Sequence, residues 1–348
     1  MTDPCPRCGK VCWSAPAIAE VWRDRVVPSR GLLGLPPDAT GRDVTVAIVD
    51  AGFYPHADLT LPVNRIRAWA DASFDPVRHG TFEPGEIPWW PGWDALAPAQ
   101  WHGLMTSAVV AGNGWTSHGL FAGPASGADV VLVQVRQPDG RIGNLTLARA
   151  LRWLAAHAQE LRLRVVSVSV GGDPGRAGSA QVHAAVRSLV AERVVVLAAA
   201  GNEPRRGLVP PASSPAAITV GAFEPRPQSL GAPVLWRSSW GGGPRGATKP
   251  EVIAPGAWIP APMLPGARSR DEGKTLTPGY HHTDGTSVSV SLAAGLVACL
   301  LEAAPALDPA GVKTALTTTA LRLDGPRDRQ GSGAIDGRAA LRLAAREA

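Results

Sequence analysis

The sequence predicts an α/β protein of three layers, with a mostly parallel central sheet and helices on both faces. Three observations carry that expectation. Short β-branched runs are apolar at nearly every position, as strands buried on both faces must be. Between them lie longer stretches with apolar residues three and four apart, which is the helical period. The 39 glycines and 33 prolines punctuate the joints between these runs instead of forming one biased tract, so the connections are tight.

In chain order, residues 1–40 form a mixed arm ending in the Pro- and Gly-rich GLLGLPPDATG, and residues 41–348 form the domain. The strand candidates are Val44–Val49, Val130–Val135, Val165–Val170, Val194–Ala199 and Ile218–Val220. Leu147, Leu151, Leu154 and Ala158 mark one helix, and Val182, Ala185, Val186 and Leu189 the next. Such alternation implies right-handed crossovers and a parallel sheet. His102 and Gly103 open a further helical stretch, Leu104–Ala111. Thr286–Ala304 is apolar nearly all round after its first turn, the mark of a helix buried in mid-fold, and Cys299 within it reads as a small core residue. The segment between Ala70 and Trp101 fits neither period. It carries Trp89, Trp90, Trp93 and Trp101 among acidic residues. It reads either as a cap on an exposed core edge or, because it leads into His102, as a wall of a binding cleft.

Composition excludes several classes. A chain of 348 residues, 45% hydrophobic and 18% charged, is not disordered throughout. Its net charge of +5 is mild and unclustered, with no run of five Lys or Arg, so no nucleic-acid partner is expected. No uninterrupted apolar stretch reaches the ~20 residues of a membrane span, and the start lacks the apolar core of a signal peptide. No membrane partner and a cytoplasmic location are therefore expected. Cys5, Cys8 and Cys12 cluster near the start, and two thiolates two residues apart on a turn can face one zinc ion. Three thiolates leave a tetrahedral site one ligand short. The arm is either an exposed Cys-rich segment or a zinc site completed by a distant group or a second chain.

Ligands of an open parallel sheet sit at the carboxyl ends of its strands. There the sequence places Asp50, at the tip of the first run, and Asn202, in the turn after the fourth; His102 and Ser287 stand at helix starts. A hydroxyl is a poor nucleophile until a base takes its proton, a carboxylate holds that base in the right tautomer and a donor awaits the oxyanion. Asp50, His102, Ser287 and Asn202 supply those four groups.

The segments around them resemble the motifs of the subtilisin-like serine peptidases. VAIVDAGFYPHADL is similar to the aspartate motif, WHGLMTSAVVAG to the histidine motif, VVVLAAAGNE to the oxyanion-asparagine motif and DGTSVSVSLAAGLVACLL to the serine motif. The order Asp, His, Ser is also that of the family. The resemblance implies a subtilisin-like fold for residues 41–348 and a serine endopeptidase working through an acyl-enzyme. In it Ser287 attacks the scissile carbonyl, His102 takes and returns the proton, Asp50 orients His102, and Asn202 with the Ser287 N–H holds the oxyanion. It implies that a peptide or protein substrate pairs with Ser169, Val170 and Gly171, with Gly171 and Gly172 leaving room for the residue before the cut bond. No cofactor is implied for catalysis. Asp58 falls where some relatives bind calcium, but an Asp after a His-Ala turn is a common cap, and calcium is not expected. No acidic residue marks a pocket for Arg or Lys, so a broad or apolar preference is expected, with the acidic Trp-rich segment favouring basic or aromatic residues further along the substrate.

Departures from the family pattern are local. Ala51 stands where a hydroxyl is usual beside the carboxylate, Leu104 and Met105 replace Thr-His, and Ser289 and Ser291 replace Ala and Pro. Without that proline the helix behind Ser287 keeps a regular hydrogen bond. None removes a catalytic group. Secreted relatives carry a folding pro-domain, for which the stretch ahead of Asp50 is too short. The expectation is an intracellular peptidase that folds unaided or is held in check by an inhibitory or regulatory partner. Two other readings use the same residues: a catalytically weakened binding protein on a peptidase scaffold, and a peptide ligase or cyclase that hands the acyl group to an amine.

Overall fold

The apolar runs become strands because only a doubly covered sheet hides both of their faces from water. The computed structural model describes residues 27–175, 177–226, 231–241, 248–266, 275–277 and 279–347. Its main sheet contains β1 (Thr45–Asp50), β2 (Ile66–Asp71), β3 (Arg78–Thr81), β4 (Asp129–Gln134), β5 (Leu163–Val168), β6 (Val195–Ala199), β7 (Ile218–Glu224), β8 (Val234–Leu235) and β9 (Val252–Pro255). Their order is β3-β2-β4-β1-β5-β6-β7-β8, with β9 beside β7, and pairing is parallel except in β2–β3 and β7–β8. A smaller antiparallel sheet joins β10 (Ile259–Pro262), β11 (Thr275–Thr277) and β12 (Tyr280–Thr283).

Alternation along β1 sorts the two cores. Val46 and Ile48 pack towards α1 (Pro98–Ala111) and α4 (Thr286–Ala303), whereas Ala47 and Val49 pack towards α2 (Asn144–Ala156) and α3 (Ser179–Ala191). The three-layer α/β architecture is therefore as the sequence predicts. After α4 come α5 (Pro309–Thr318) and α6 (Gly337–Glu347), which add Val312, Leu316 and Ala340 to the first core. The length and apolarity of α4 would suit a membrane span, but it lies buried between the sheet and α1. Segments outside the sheet dock on this frame. Leu33 is buried, the Arg30 Nη1 donates to the Pro124 carbonyl (2.8 Å), and the N–H groups of Thr40 and Gly41 both donate to Glu302 Oε2 (2.7 Å).

Two sequence expectations need correction. The helix carrying His102 begins at Pro98, not at Leu104, because Pro98 suits a first turn and the Gln100 side chain reaches back to the Ala97 N–H (2.6 Å). His102 thus sits one turn inside α1, not at its tip. The strand expected over Val165–Val170 ends at Val168, with Ser169 and Val170 beyond its last residue. In the Trp-rich segment, β3 folds back on β2, and buried Trp90 stacks on Trp69 with ring centres 5.9 Å apart and planes 7° from parallel.

Candidate active site

β4 and β5 flank β1 on opposite sides, so the chain diverges there and a crevice opens at the carboxyl end of β1. Asp50 occupies that end and is fully buried. Its Oδ1 accepts from the Ala51 N–H (2.6 Å) and pairs with His102 Nδ1 (2.5 Å), while Oδ2 accepts from the Thr106 hydroxyl (2.7 Å). Thr106 follows His102 by four residues, one helical turn, and so shares its face of α1. Sequence reading missed it; the i,i+4 spacing after His102 was the available signal. The approach of α1 depends on Gly103, where a Cβ would lie 2.0 Å from the Gly52 carbonyl oxygen.

His102 is held between opposing influences. Burial pushes its imidazolium down, but the charge of Asp50 and the hydrogen bond to it more than offset this and leave the pKa above the ordinary histidine value. With Nδ1 engaged by Asp50, Nε2 is the nitrogen left for proton exchange. The ring is 31% exposed, so that nitrogen is within reach of solvent or substrate.

Ser287 lies in the first turn of α4, where helix N–H groups lack intrahelical partners. Ser169 bridges it to β1: the Ser169 N–H donates to the carbonyl of Val49 (3.3 Å), and the Ser169 carbonyl accepts from the Ser287 hydroxyl (3.0 Å). Ser169 thus links Ser287 to the end of β1 that carries Asp50, although the Ser287 hydroxyl points to Ser169 and not to His102. Asn202 is beside the same helix start. Its Oδ1 accepts from both the N–H and the hydroxyl of Thr286 (2.9 Å each), and the Thr286 hydroxyl in turn accepts from the Gly201 N–H (3.1 Å). Asn202 is exposed, and its Nδ2 makes no hydrogen bond among the described residues; it lies 3.4 Å from where a Cβ on Gly285 would stand. The structure thus shows a carboxylate-held histidine at the end of β1, with the Ser287 hydroxyl and the Asn202 amide both at the positive end of α4.

The Subtilase family model matches residues 41–333, the whole sheet and all four of these positions included. The chain belongs to the subtilase family. It is 30% identical over 289 residues to serine protease AprX of Bacillus subtilis, an alignment covering 80% of this chain and 61% of AprX. It is 32% identical over 311 residues to an extracellular protease of Xanthomonas campestris, covering 82% of this chain and 49% of the relative. The chain therefore spans about half to six tenths of these relatives. Fervidolysin from Fervidobacterium pennivorans, a keratinolytic enzyme related to subtilisin, shares its fold at TM-score 0.69 and 22% identity, over 95% of this chain and 48% of that one.

Other expected site residues of this subtilase fall out unevenly. Val170 and Gly171 follow β5; Val170 is half-buried against the second core, and Gly171 is exposed, with a Cβ there 2.7 Å from Val209. At Gly172 a Cβ would lie 1.9 Å from Asn144 Oδ1, so the glycine there accommodates Asn144 of α2. Ser291 sets its hydroxyl on the Ser287 carbonyl (2.8 Å), reinforcing the regular helix expected in the absence of proline. Both carboxylate oxygens of buried Asp58 are taken by protein donors. Thr116 donates to Oδ1 through its N–H (3.0 Å) and hydroxyl (2.9 Å), and Tyr280 donates to Oδ2. Burial and the Asp58 charge push the Tyr280 phenol well up, which keeps it a donor. Asp58 thus ties Thr116 to Tyr280. Cys5, Cys8 and Cys12 lie outside the described residues; among the described residues no group of three or more His, Cys, Asp or Glu gathers as a metal would require.

Proposed function

We propose that the chain is a serine endopeptidase acting on peptide or protein substrates through an acyl-enzyme. The observation that carries this reading is the Asp50–His102 hydrogen bond at 2.5 Å, which fixes the histidine tautomer and stabilises its charged form beside a serine at a helix start. The extended substrate pairs along Ser169–Gly171. Its arrival displaces the Ser287 hydroxyl from the Ser169 carbonyl, a modest cost of about 1 kcal/mol, and the hydroxyl turns to His102 Nε2. His102 takes the proton as Ser287 Oγ bonds to the scissile carbonyl carbon. The oxyanion receives the Asn202 Nδ2–H and the Ser287 N–H. Collapse breaks the C–N bond, and the proton on His102 goes to the leaving amine. Water then repeats the sequence on the ester, leaving a free acid and Ser287 restored.

The test is covalent labelling with a fluorophosphonate probe alongside peptide hydrolysis. Labelling that disappears in Ser287→Ala, with products heavier by one water, supports the reading. A folded chain that neither labels nor cuts would leave a binding protein on a peptidase scaffold, and products without added water would indicate ligation.

A further inference from the structure

Beside the Asp50–His102 pair, a cavity of about 380 Å³ opens at the carboxyl ends of β1, β2 and β4. That volume lies within the range of ligand sites, roughly 300–1,000 Å³. It adjoins the pair directly: Ala51 and Gly52 line it from the Asp50 side, and Ala99 and Gln100 line it from the turn of α1 that precedes His102. The stacked rings of Trp69 and Trp90 form an apolar wall.

The charges on this wall are opposite to what its linear composition suggests. The charged residues lining the cavity are Arg78, Arg136 and Asp71. Asp71 is buried and already satisfied, its Oδ1 accepting from the Ser73 N–H (2.9 Å) and its Oδ2 from Gln134 Nε2 (3.3 Å). The Arg78 guanidinium lies 3.6 Å from the centre of the Phe74 ring, an aromatic face that orients it without neutralising it. Neither Arg78 nor Arg136 is paired with a carboxylate among the described residues. The other acidic residues of the Trp-rich segment are elsewhere: Asp75 pairs with Arg149 (3.2 Å), and Glu83, Glu86 and Asp94 do not line the cavity.

We propose that this cavity is a substrate subsite for an acidic side chain, its carboxylate between Arg78 and Arg136 and its methylene stem along Trp69 and Trp90. The assignment rests on the peptidase reading and replaces the expectation of a basic residue at this wall. Guanidinium pairs with carboxylates in two parallel hydrogen bonds, and partial enclosure by the tryptophans strengthens such a pair over one in open water.

The experiment is digestion of a positional-scanning peptide library by the full chain, run beside fluorophosphonate labelling. Glu and Asp should be enriched at one position near the cut, with kcat/KM for a Glu peptide about tenfold above its Lys counterpart, chiefly through KM. The ratio should fall towards unity in Arg136→Gln, an exposed substitution that leaves the core untouched, and invert in Arg78→Glu/Arg136→Glu. Labelled protein that cuts without acidic preference at any position, or whose preference survives the charge reversal, overturns the subsite while the peptidase reading stands. Absence of both labelling and cleavage overturns the peptidase reading, and the subsite with it.

Discussion

The Thr106 hydroxyl and the His102 ring divide the Asp50 carboxylate between them, Thr106 on Oδ2 at 2.7 Å and His102 on Oδ1 at 2.5 Å. One turn of α1 therefore presents both donors, and the missing hydroxyl at Ala51 is supplied from a different element. Removing the Thr106 donor leaves a buried carboxylate oxygen short of a partner, and hydrogen bonds to charged groups carry about 1.5–3 kcal/mol. Thr106→Val should lower kcat by about ten- to hundredfold with KM little changed, and Thr106→Ser should recover most of the loss.

The raised pKa of His102 sets the pH dependence. The base must be neutral, so kcat/KM should rise with pH through a midpoint above the ordinary histidine value of about 6.5. In Asp50→Asn the opposing burial is left alone, and the midpoint should move down as the rate collapses. A group whose pKa is raised by folding stabilises the fold below its unfolded pKa and loses that contribution as pH rises through the folded value. The ion pair should thus add stability on the acid side and lose it over the interval in which activity appears. A pH–rate profile paired with denaturant unfolding at each pH checks both signs.

Asn202 has two separable jobs. Its Oδ1 holds the start of α4 through Thr286, and its Nδ2 makes no hydrogen bond among the described residues. Asn202→Ala should cost on the order of 100- to 1000-fold in kcat. Asn202→Asp keeps an acceptor for Thr286 but removes the donor; it should melt like the parent and show a comparable loss of kcat. A parental rate in Asn202→Asp would exclude the amide from the oxyanion site.

Gly103→Ala should separate α1 from β1. The added carbon would sit 2.0 Å from the Gly52 carbonyl oxygen and 2.8 Å from the Phe53 ring, and neither is free to move cheaply. A loss on the order of 3 kcal/mol in urea unfolding is expected, together with loss of probe labelling as His102 is drawn away from Asp50.

Behind the sheet, Glu251 accepts from the buried Lys249 Nζ at both oxygens (3.1 Å each), from Lys313 (2.9 Å) and from the Thr219 N–H (2.8 Å). Burial pulls the Lys249 pKa down against the pull of Glu251 upwards. Glu251→Ala leaves an uncompensated buried ammonium and should cost about 3–5 kcal/mol of stability. Guanidinium chloride unfolding of the two proteins measures it.

What the sequence made legible follows from where information sits in the chain. The runs that became β1, β4, β5, β6 and β7 were visible because burial on two faces leaves no polar position to break them. β2 hid because IRAWAD carries charges at both ends, and β3, β8 and the small sheet are too short for a period to emerge. Asp50 and His102 were found and are joined by a hydrogen bond, whereas Ser287 and Asn202 were found but have their present partners in Ser169 and Thr286. Thr106 was lost behind the misplaced start of α1. The sense of charge at the Trp-rich wall was illegible for a different reason: composition counts acidic residues, and only coordinates show which side chains face a cavity.

α4 carries a further implication. The serine that is to react sits at one tip of a rod whose remaining length is the axle of the molecule, packed on every side from Val288 to Leu301. There is no soft outer shell in which the tip could loosen by itself. On the peptidase reading, thermal inactivation and global melting should then coincide, and tighter packing at the distant end of the rod should prolong the working life of the hydroxyl at its head.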